Sequence, residues 1–159
     1  MVKFKSVINE ILVLVEKWEK KFPKLSKEVI AERKNNQNRS IKQIVGHMID
    51  SATNNTHRII HLQCQESPVN YPDYANLGNN DRWITIQDYQ NEDWDNLVQL
   101  WKYSNTHLAH VIKNVKENQL GNIWISALKE EVTLQNMIED YPRHMKLHLS
   151  EIVELIYQD

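Results

Sequence analysis

Apolar side chains recur at intervals of three and four residues through most of this chain, a spacing typical of amphipathic α-helices. Four segments share the pattern. We predict helices that begin near Phe4, after Ser40, near Thr85 or Asp88 and after Thr133; the first ends at Pro23, the second near Cys64 and the third near Lys116, and the fourth reaches Ile156. Four long helices joined by polar connections predict an all-α fold, a single four-helix-bundle domain over residues 1–159.

Two helix starts carry favourable caps. Gln43 follows Ser40 at the spacing of a capping box, in which the serine oxygen accepts from a free N–H and the glutamine side chain accepts from the serine N–H. Thr133 is a good N-cap for the last helix. Pro142 falls inside that helix, where it removes a backbone hydrogen bond, so we expect a kink there.

Residues 65–87 contain two prolines and no helical period, which predicts a long surface loop. Loops of that length in compact domains usually have a function. Tyr71, Tyr74 and Trp83 could line the mouth of a substrate pocket, although rings that merely pack a loop onto the bundle are more common.

Composition and charge exclude several classes of function. The 19 Lys and Arg against 21 Asp and Glu give a formal net charge of −2, which offers no general attraction to nucleic acid. The three glycines are too far apart for a phosphate-binding loop or a dinucleotide fingerprint. No apolar run approaches the roughly 20 residues that span a bilayer. We therefore expect a cytoplasmic protein that acts on a small molecule, without a membrane or nucleic-acid partner.

The only cysteine, Cys64, excludes a disulfide framework and a cysteine-rich metal site within one chain. This usage suits a reducing compartment. A lone thiol on an amphipathic helix is most often a small buried apolar group, and we predict that role for Cys64.

The seven histidines are the most informative residues. His144 and His148 are four apart on the last predicted helix, so both rings leave the same face one turn apart and can bind one metal ion. They continue an apolar stripe, which points them toward the bundle interior. Two core histidines that hydrogen-bond to carboxylates or carbonyls remain the alternative.

A third ligand must come from another helix, and His47 is the natural candidate because apolar residues surround it. Two further pairs, His57 with His61 and His107 with His110, also have helical spacing. The neighbours of His57 are polar, namely Asn54, Asn55, Thr56 and Arg58. We predict that these other histidines lie at the solvated surface.

Two runs of sequence resemble the DinB/YfiT-like superfamily. Residues 40–52 are similar to its second-helix signature, a histidine followed by two apolar residues and an aspartate, and residues 141–149 are similar to its fourth-helix H-x-x-x-H. The resemblance implies an up-down-down-up four-helix bundle that commonly dimerises, so a homodimer is expected. It also implies a divalent metal, often nickel or zinc, held by His47, His144 and His148. Arg39 departs from many relatives, which have an aromatic residue there.

Three imidazoles leave coordination positions open, which is typical of catalytic metal sites. The resemblance implies either transfer of a low-molecular-weight thiol, which we favour slightly, or metal-dependent hydrolysis. A non-enzymatic, dimeric metal-binding module is the competing interpretation. Asp50 and Asp140, each one turn from a predicted ligand, could fix an imidazole tautomer, and solvated helix charges are an equally good account of both.

Overall fold

The computed structural model describes residues 3–158, most of which are helical. The helices are α1 (Lys5–Lys21), α2 (Lys27–Ala31), α3 (Ile41–Cys64), α4 (Asn79–Ile86), α5 (Trp94–Lys113) and α6 (Leu134–Ile156). Short 3-10 turns occupy Phe22–Lys24, Tyr89–Asn91 and Glu117–Gln119. The four long helices α1, α3, α5 and α6 form the predicted four-helix bundle.

Both predicted caps are confirmed. The Gln43 N–H donates to Ser40 Oγ at 3.3 Å, and the Ser40 N–H donates to Gln43 Oε1 at 3.0 Å, so the capping box of α3 is complete. The Asn136 N–H donates to Thr133 Oγ1 at 3.1 Å at the start of α6. α6 continues through Pro142 without a break, and the kink stays a prediction.

The predicted third helix starts too early. α5 begins at Trp94 behind the cap Asp93, which accepts from the Asn96 N–H at 2.9 Å. Asp88 has a φ of 50°, a left-handed conformation that a helix cannot pass through. The predicted loop also contains α4, which escaped prediction because Ile84 is its one buried residue and so short a helix shows no apolar period.

Contacts between the helices show which of their ends lie together. α3 packs against α5 and α6, and α1 packs against the same two helices. The end of α1 lies beside the start of α5, the ends of α3 and α5 lie together, and the chain before α3 meets the end of α6. The hydrogen bonds responsible are Trp94 Nε1 to the Phe22 carbonyl at 3.1 Å, Lys116 N to Gln63 Oε1 at 2.9 Å and Arg33 Nη1 to the Leu155 carbonyl at 3.0 Å. An up-down-down-up bundle has this set of end contacts; the order itself stays a prediction.

A small hairpin departs from the purely helical prediction. Strands β1 (Ile123–Ile125) and β2 (Glu131–Thr133) pair antiparallel just before α6. Val69, in the long loop after α3, donates its N–H to the Ile123 carbonyl at 2.7 Å and forms a parallel bridge with Trp124. The Trp124 indole N–H donates to the Tyr71 carbonyl at 2.9 Å. These bonds hold the loop and the hairpin together beside the end of α3.

Arg39, where many relatives have an aromatic residue, is buried at the start of α3. Its Nη2 lies 2.7 Å from Asp81 Oδ1 on α4. The arginine therefore ties α4 to the start of α3.

Gly46 is required by a close approach of Tyr89 to α3. A Cβ at position 46 would lie 2.2–2.6 Å from three atoms of the Tyr89 ring. We expect Gly46→Ala to lower the free energy of unfolding by about 1–3 kcal/mol, because the ring must move out of a packed site. Gly121→Ala is the matched control, since a Cβ there meets no atom within 4 Å, and its effect should stay within about 0.5 kcal/mol. Chemical denaturation measures both, and equal effects would contradict the steric account.

Candidate metal centre

Two of the predicted ligands lie on one face of α6. His144 and His148 are one turn apart, and their Nε2 atoms are separated by 3.1 Å. The two rings are nearly perpendicular, with centroids 4.5 Å apart. His148 is buried and His144 is half-buried, because this face of α6 packs against α3.

His47 approaches the pair from α3. Its side chain is buried, and its ring centroid lies 4.7 Å from that of His148 and 5.8 Å from that of His144. One ring nitrogen from each of the three residues lies within 4.8 Å of the other two. The structure therefore brings together the three histidines that the sequence nominated from two different helices.

The donor set fits a divalent transition metal. Imidazole nitrogens suit zinc, nickel and similar ions, and two nitrogens bound to one tetrahedral zinc lie about 3.3–3.4 Å apart, close to the 3.1 Å between His144 and His148. Among the described residues, His47 Nδ1 is buried with no hydrogen-bond partner. A buried polar atom without a partner is costly, so a cluster of this kind favours an additional ligand.

Hydrogen bonds orient the rings on α6. His148 Nδ1 lies 2.9 Å from Glu151 Oε2, and His144 Nδ1 lies 3.4 Å from Ser51 Oγ on α3. With His148 neutral, one pattern satisfies every contact: Ser51 Oγ–H donates to His144 Nδ1, His144 Nε2–H donates to His148 Nε2, and His148 Nδ1–H donates to Glu151. Glu151 thus keeps His148 Nε2 unprotonated and directed into the cluster.

The cluster disfavours positive charge on its rings. Burial, followed by the effect of His148 and then that of His144, lowers the pKa of His47 to about 2. Burial, followed by the effect of His148, lowers the pKa of His144 to about 4. Both imidazoles are therefore neutral at pH 7, which is the form that binds a metal.

The two predicted tautomer-fixing carboxylates have other partners. Asp50 Oδ1 is buried and accepts from the Tyr89 hydroxyl at 2.6 Å and from Gln87 Nε2 at 2.8 Å. Asp140 is exposed and accepts from Arg143. Among the hydrogen bonds of residues 3–158, neither reaches a histidine. The carboxylate that does is Glu151, three residues after His148, a helical spacing that the sequence analysis overlooked.

Removing Glu151 should weaken metal binding. Residues that hydrogen-bond a ligand imidazole typically contribute about 10–100-fold to metal affinity. We expect Glu151→Ala to raise the zinc dissociation constant by about tenfold or more, because His148 then loses the group that fixes its tautomer. Glu154→Ala, which removes an exposed carboxylate from the same helix, is the matched control. Competition with a fluorescent chelator measures both constants, and an unchanged value for Glu151→Ala would argue against this role.

A pocket of about 690 Å³ opens beside the cluster. His144 lines it, together with Ser51 on α3 and Tyr141 on α6. Tyr74, one of the three predicted mouth residues, is buried in its wall and lies 6.1 Å from His47 between ring centroids. Trp83 rests against Tyr74, with their ring centroids 6.0 Å apart, and Tyr71 supplies the carbonyl that holds Trp124.

Part of the pocket wall was not predicted from the sequence. Trp124 comes from the unpredicted hairpin. All four polar neighbours of His57, namely Asn54, Asn55, Thr56 and Arg58, are buried. Asn55 and Arg58 line the pocket, and the Trp124 ring covers Arg58. The sequence does contain a pattern that points to this wall. Ser51, Asn55 and Arg58 follow His47 by 4, 8 and 11 residues, so they share one face of α3 with it.

The other histidines lie away from the cluster. His57, His107 and His110 are exposed, as predicted, and His61 is half-buried. Cys64, predicted to be buried, is exposed, because it is the last residue of α3 and extends beyond the covered part of the helix.

No protein-family model matches the sequence, and no curated protein has significant sequence similarity to it. Solved structures share its fold, and two of them illustrate the likeness to this chain. YfiT from Bacillus subtilis, described as a probable metal-dependent hydrolase with an unusual four-helix bundle topology, superposes with a TM-score of 0.82 at 18% identity, over 94% of this chain and 83% of that one. A mutant of the mycothiol-dependent maleylpyruvate isomerase superposes with a TM-score of 0.75 at 11% identity, over 94% of this chain and 60% of that one.

The chain therefore has the DinB/YfiT-like four-helix-bundle fold that the two sequence runs implied. It spans 60% of the length of the isomerase. Among the described helices, none combines the length and the apolar character that crossing a bilayer requires.

Proposed function

We propose that this chain is a divalent-metal-dependent enzyme that transfers a low-molecular-weight thiol to a small electrophile. One observation carries the proposal: three histidine nitrogens lie within 4.8 Å of one another, and one of the three residues, His144, lines an open pocket. Three protein ligands and an accessible remaining position are typical of catalytic metal sites. Zinc and nickel are the ions that we propose, since both suit imidazole ligands.

When bound, a divalent ion lowers the pKa of a coordinated thiol or water, so that a nucleophile forms near neutral pH. The residues of the chain prepare the site. Glu151 accepts a hydrogen bond from His148 Nδ1–H and so holds Nε2 of His148 toward the cluster. His144 can bind a metal through Nε2 only when its ring proton is on Nδ1. Ser51 Oγ lies 3.4 Å from Nδ1 and can then accept a hydrogen bond from Nδ1–H.

Aromatic rings form part of the pocket wall beside this site. Tyr74, Trp124 and Tyr141 line the pocket, and each is about 95% buried. Burial raises the pKa of Tyr74, so its hydroxyl stays protonated and acts as a hydrogen-bond donor. A small electrophile bound against these rings lies beside His144.

Metal-dependent hydrolysis is the second candidate, and it uses the same residues. The higher of the two TM-scores, 0.82, belongs to the protein described as a probable metal-dependent hydrolase, which favours it. The likeness to a mycothiol-dependent isomerase favours the thiol reaction.

A direct assay separates the candidates. Zinc- or nickel-loaded protein is incubated with 2-mercaptoethanol and monochlorobimane; a sulfur–carbon bond forms, the carbon–chlorine bond breaks, chloride leaves and the thiol proton passes to solvent. A parallel reaction contains 4-nitrophenyl acetate and no thiol. We expect thiol transfer by the wild type, its loss in His144→Ala and its retention in the control His110→Ala.

Ester hydrolysis without thiol transfer would replace the proposal by the second candidate. Equal rates in the wild type and in His144→Ala, for both reactions, would overturn both and leave a metal-binding module. The homodimer also stays a prediction, which sedimentation velocity tests.

A further inference from the structure

Arg58 is a buried cation, and no acidic side chain among residues 3–158 forms an ion pair with it. It lies on α3 with only 6% of its surface exposed, and it lines the same pocket as His144. Among the described ion pairs, none includes it. Its Nε is buried and has no hydrogen-bond partner in the described part of the chain, and its Nη1 has Met137 Sδ at 3.6 Å, a weak acceptor.

The carboxylate whose charge acts on Arg58 is that of Asp73, and it already has other hydrogen-bond donors. Asp73 lines the pocket, but its oxygens accept from the backbone N–H groups of Ala75, Asn76 and Ala127 and from the Asn76 side chain. Burial acts to raise the pKa of Asp73, but these bonds together lower it and keep the carboxylate ionised, although it makes no ion pair with the arginine. Burying a charge without a hydrogen-bonded counter-charge is costly, so the arrangement is suited to an anion from outside the chain.

The guanidinium is held in place for such a ligand. It lies over the Trp124 ring, 3.8 Å from the centroid, and the Trp124 indole is fixed by the Tyr71 carbonyl. Stacking on an aromatic ring leaves the planar edge of a guanidinium free for two parallel hydrogen bonds to a carboxylate. Asn55 and Asn76 add amide groups to the same wall.

We infer that Arg58 binds the carboxylate of a small-molecule substrate whose reacting group lies at the histidine cluster. The position of the reacting group rests on the proposed function. Of the two arginines that line the pocket, Arg143 is paired with Asp140. The one positive charge that remains, with Asp73 and Glu139 around the same pocket, favours a monoanion over a phosphate. Ser51, which contacts His144, is seven residues before Arg58, or about 10 Å along the helix axis. A small molecule can span the distance between these two helix positions.

The test begins with metal-free protein, so that it does not depend on the metal chemistry. Propionate and the uncharged control propionamide are titrated while the indole N–H resonance of Trp124 is followed by NMR, after its assignment with Trp124→Phe. We expect a saturable shift with propionate alone. Arg58→Met should weaken that binding roughly 10–100-fold, in keeping with the loss of hydrogen bonds to a charged group. Arg82→Met, which removes an exposed arginine on α4, should leave it unchanged.

Arg58→Lys keeps the charge and loses the planar fork, so its affinity should be intermediate. Equal shifts with propionamide, or an unchanged propionate affinity in Arg58→Met, would overturn the inference even if thiol transfer is found. Arg58-dependent propionate binding by a protein that transfers no thiol and hydrolyses no ester would instead contradict the proposed function.

The loaded enzyme then shows which substrate carries the carboxylate. One comparison sets 3-mercaptopropionate against 2-mercaptoethanol as the thiol, and the other sets chloroacetate against chloroacetamide as the electrophile. If the thiol is the substrate that carries the carboxylate, the first comparison should respond to Arg58→Met, and if the electrophile carries it, the second should. In that comparison, Arg58→Met should raise KM for the charged compound about tenfold or more and leave KM for the neutral one unchanged. No selective change in either comparison would remove the assignment to a substrate.

Discussion

Replacing His47 with alanine is expected to weaken zinc binding by more than a hundredfold. The loss should exceed the 10–100-fold that is typical of residues that only hydrogen-bond a ligand, because one of three donor atoms disappears. His47 is also the only one of the three on α3, so its removal leaves the pair on α6 without a ligand from another helix. Chelator competition at pH 7 measures the dissociation constant.

The matched control is His57→Ala, which removes an exposed histidine from the same helix. Its zinc affinity should equal that of the wild type. A similar loss in the control, or an unchanged affinity in His47→Ala, would show that zinc binds elsewhere on the chain.

Metal-free protein should lose stability as the pH falls from 7 to 5. An ordinary histidine, with a pKa of 6.5, becomes protonated in the unfolded chain over this range, whereas the folded chain holds His47 at about 2 and His144 at about 4. The unfolded state then binds more protons, and acid therefore favours unfolding. Each residue should lower the free energy of unfolding at pH 5 by about 2 kcal/mol.

The variant His47→Asn separates this effect from other titrations. It should reduce the total loss, about 4 kcal/mol in the wild type, to about 2 kcal/mol, while His107→Asn should keep the full loss because that side chain is exposed. Asp50, whose pKa burial raises, acts in the opposite direction and is present in all three proteins. Urea denaturation with a chelator present measures the values, and identical pH profiles for wild type and His47→Asn would contradict the buried neutral cluster.

Local chemistry made much of the fold predictable. The Ser40 and Thr133 caps act within one turn of helix, so the starts of α3 and α6 could be inferred from neighbouring residues. The four-residue spacing of His144 and His148 fixes their relation in any helix. His47 needed more, because nothing in the spacing shows that α3 packs against α6; the resemblance to a known family supplied that expectation.

The pocket wall depended on contacts distant in sequence. The hairpin lies against the loop after α3 because Val69 and Trp124 pair across more than fifty residues, and short strands carry too little pattern to be inferred alone. Asn55 and Arg58 are buried because this hairpin and the loop after α3 lie over them. A polar side chain on α3 looks solvated until the segment that covers it is placed, which is why the sequence alone did not place these residues in the pocket wall.

The most direct test of the metal centre is a crystal structure of zinc-loaded protein with diffraction data collected on both sides of the zinc absorption edge. We predict one anomalous peak per chain, bound by a nitrogen from each of His47, His144 and His148 at about 2.0–2.1 Å. A peak held by other residues, or its absence from this cluster at saturating zinc, would contradict the account.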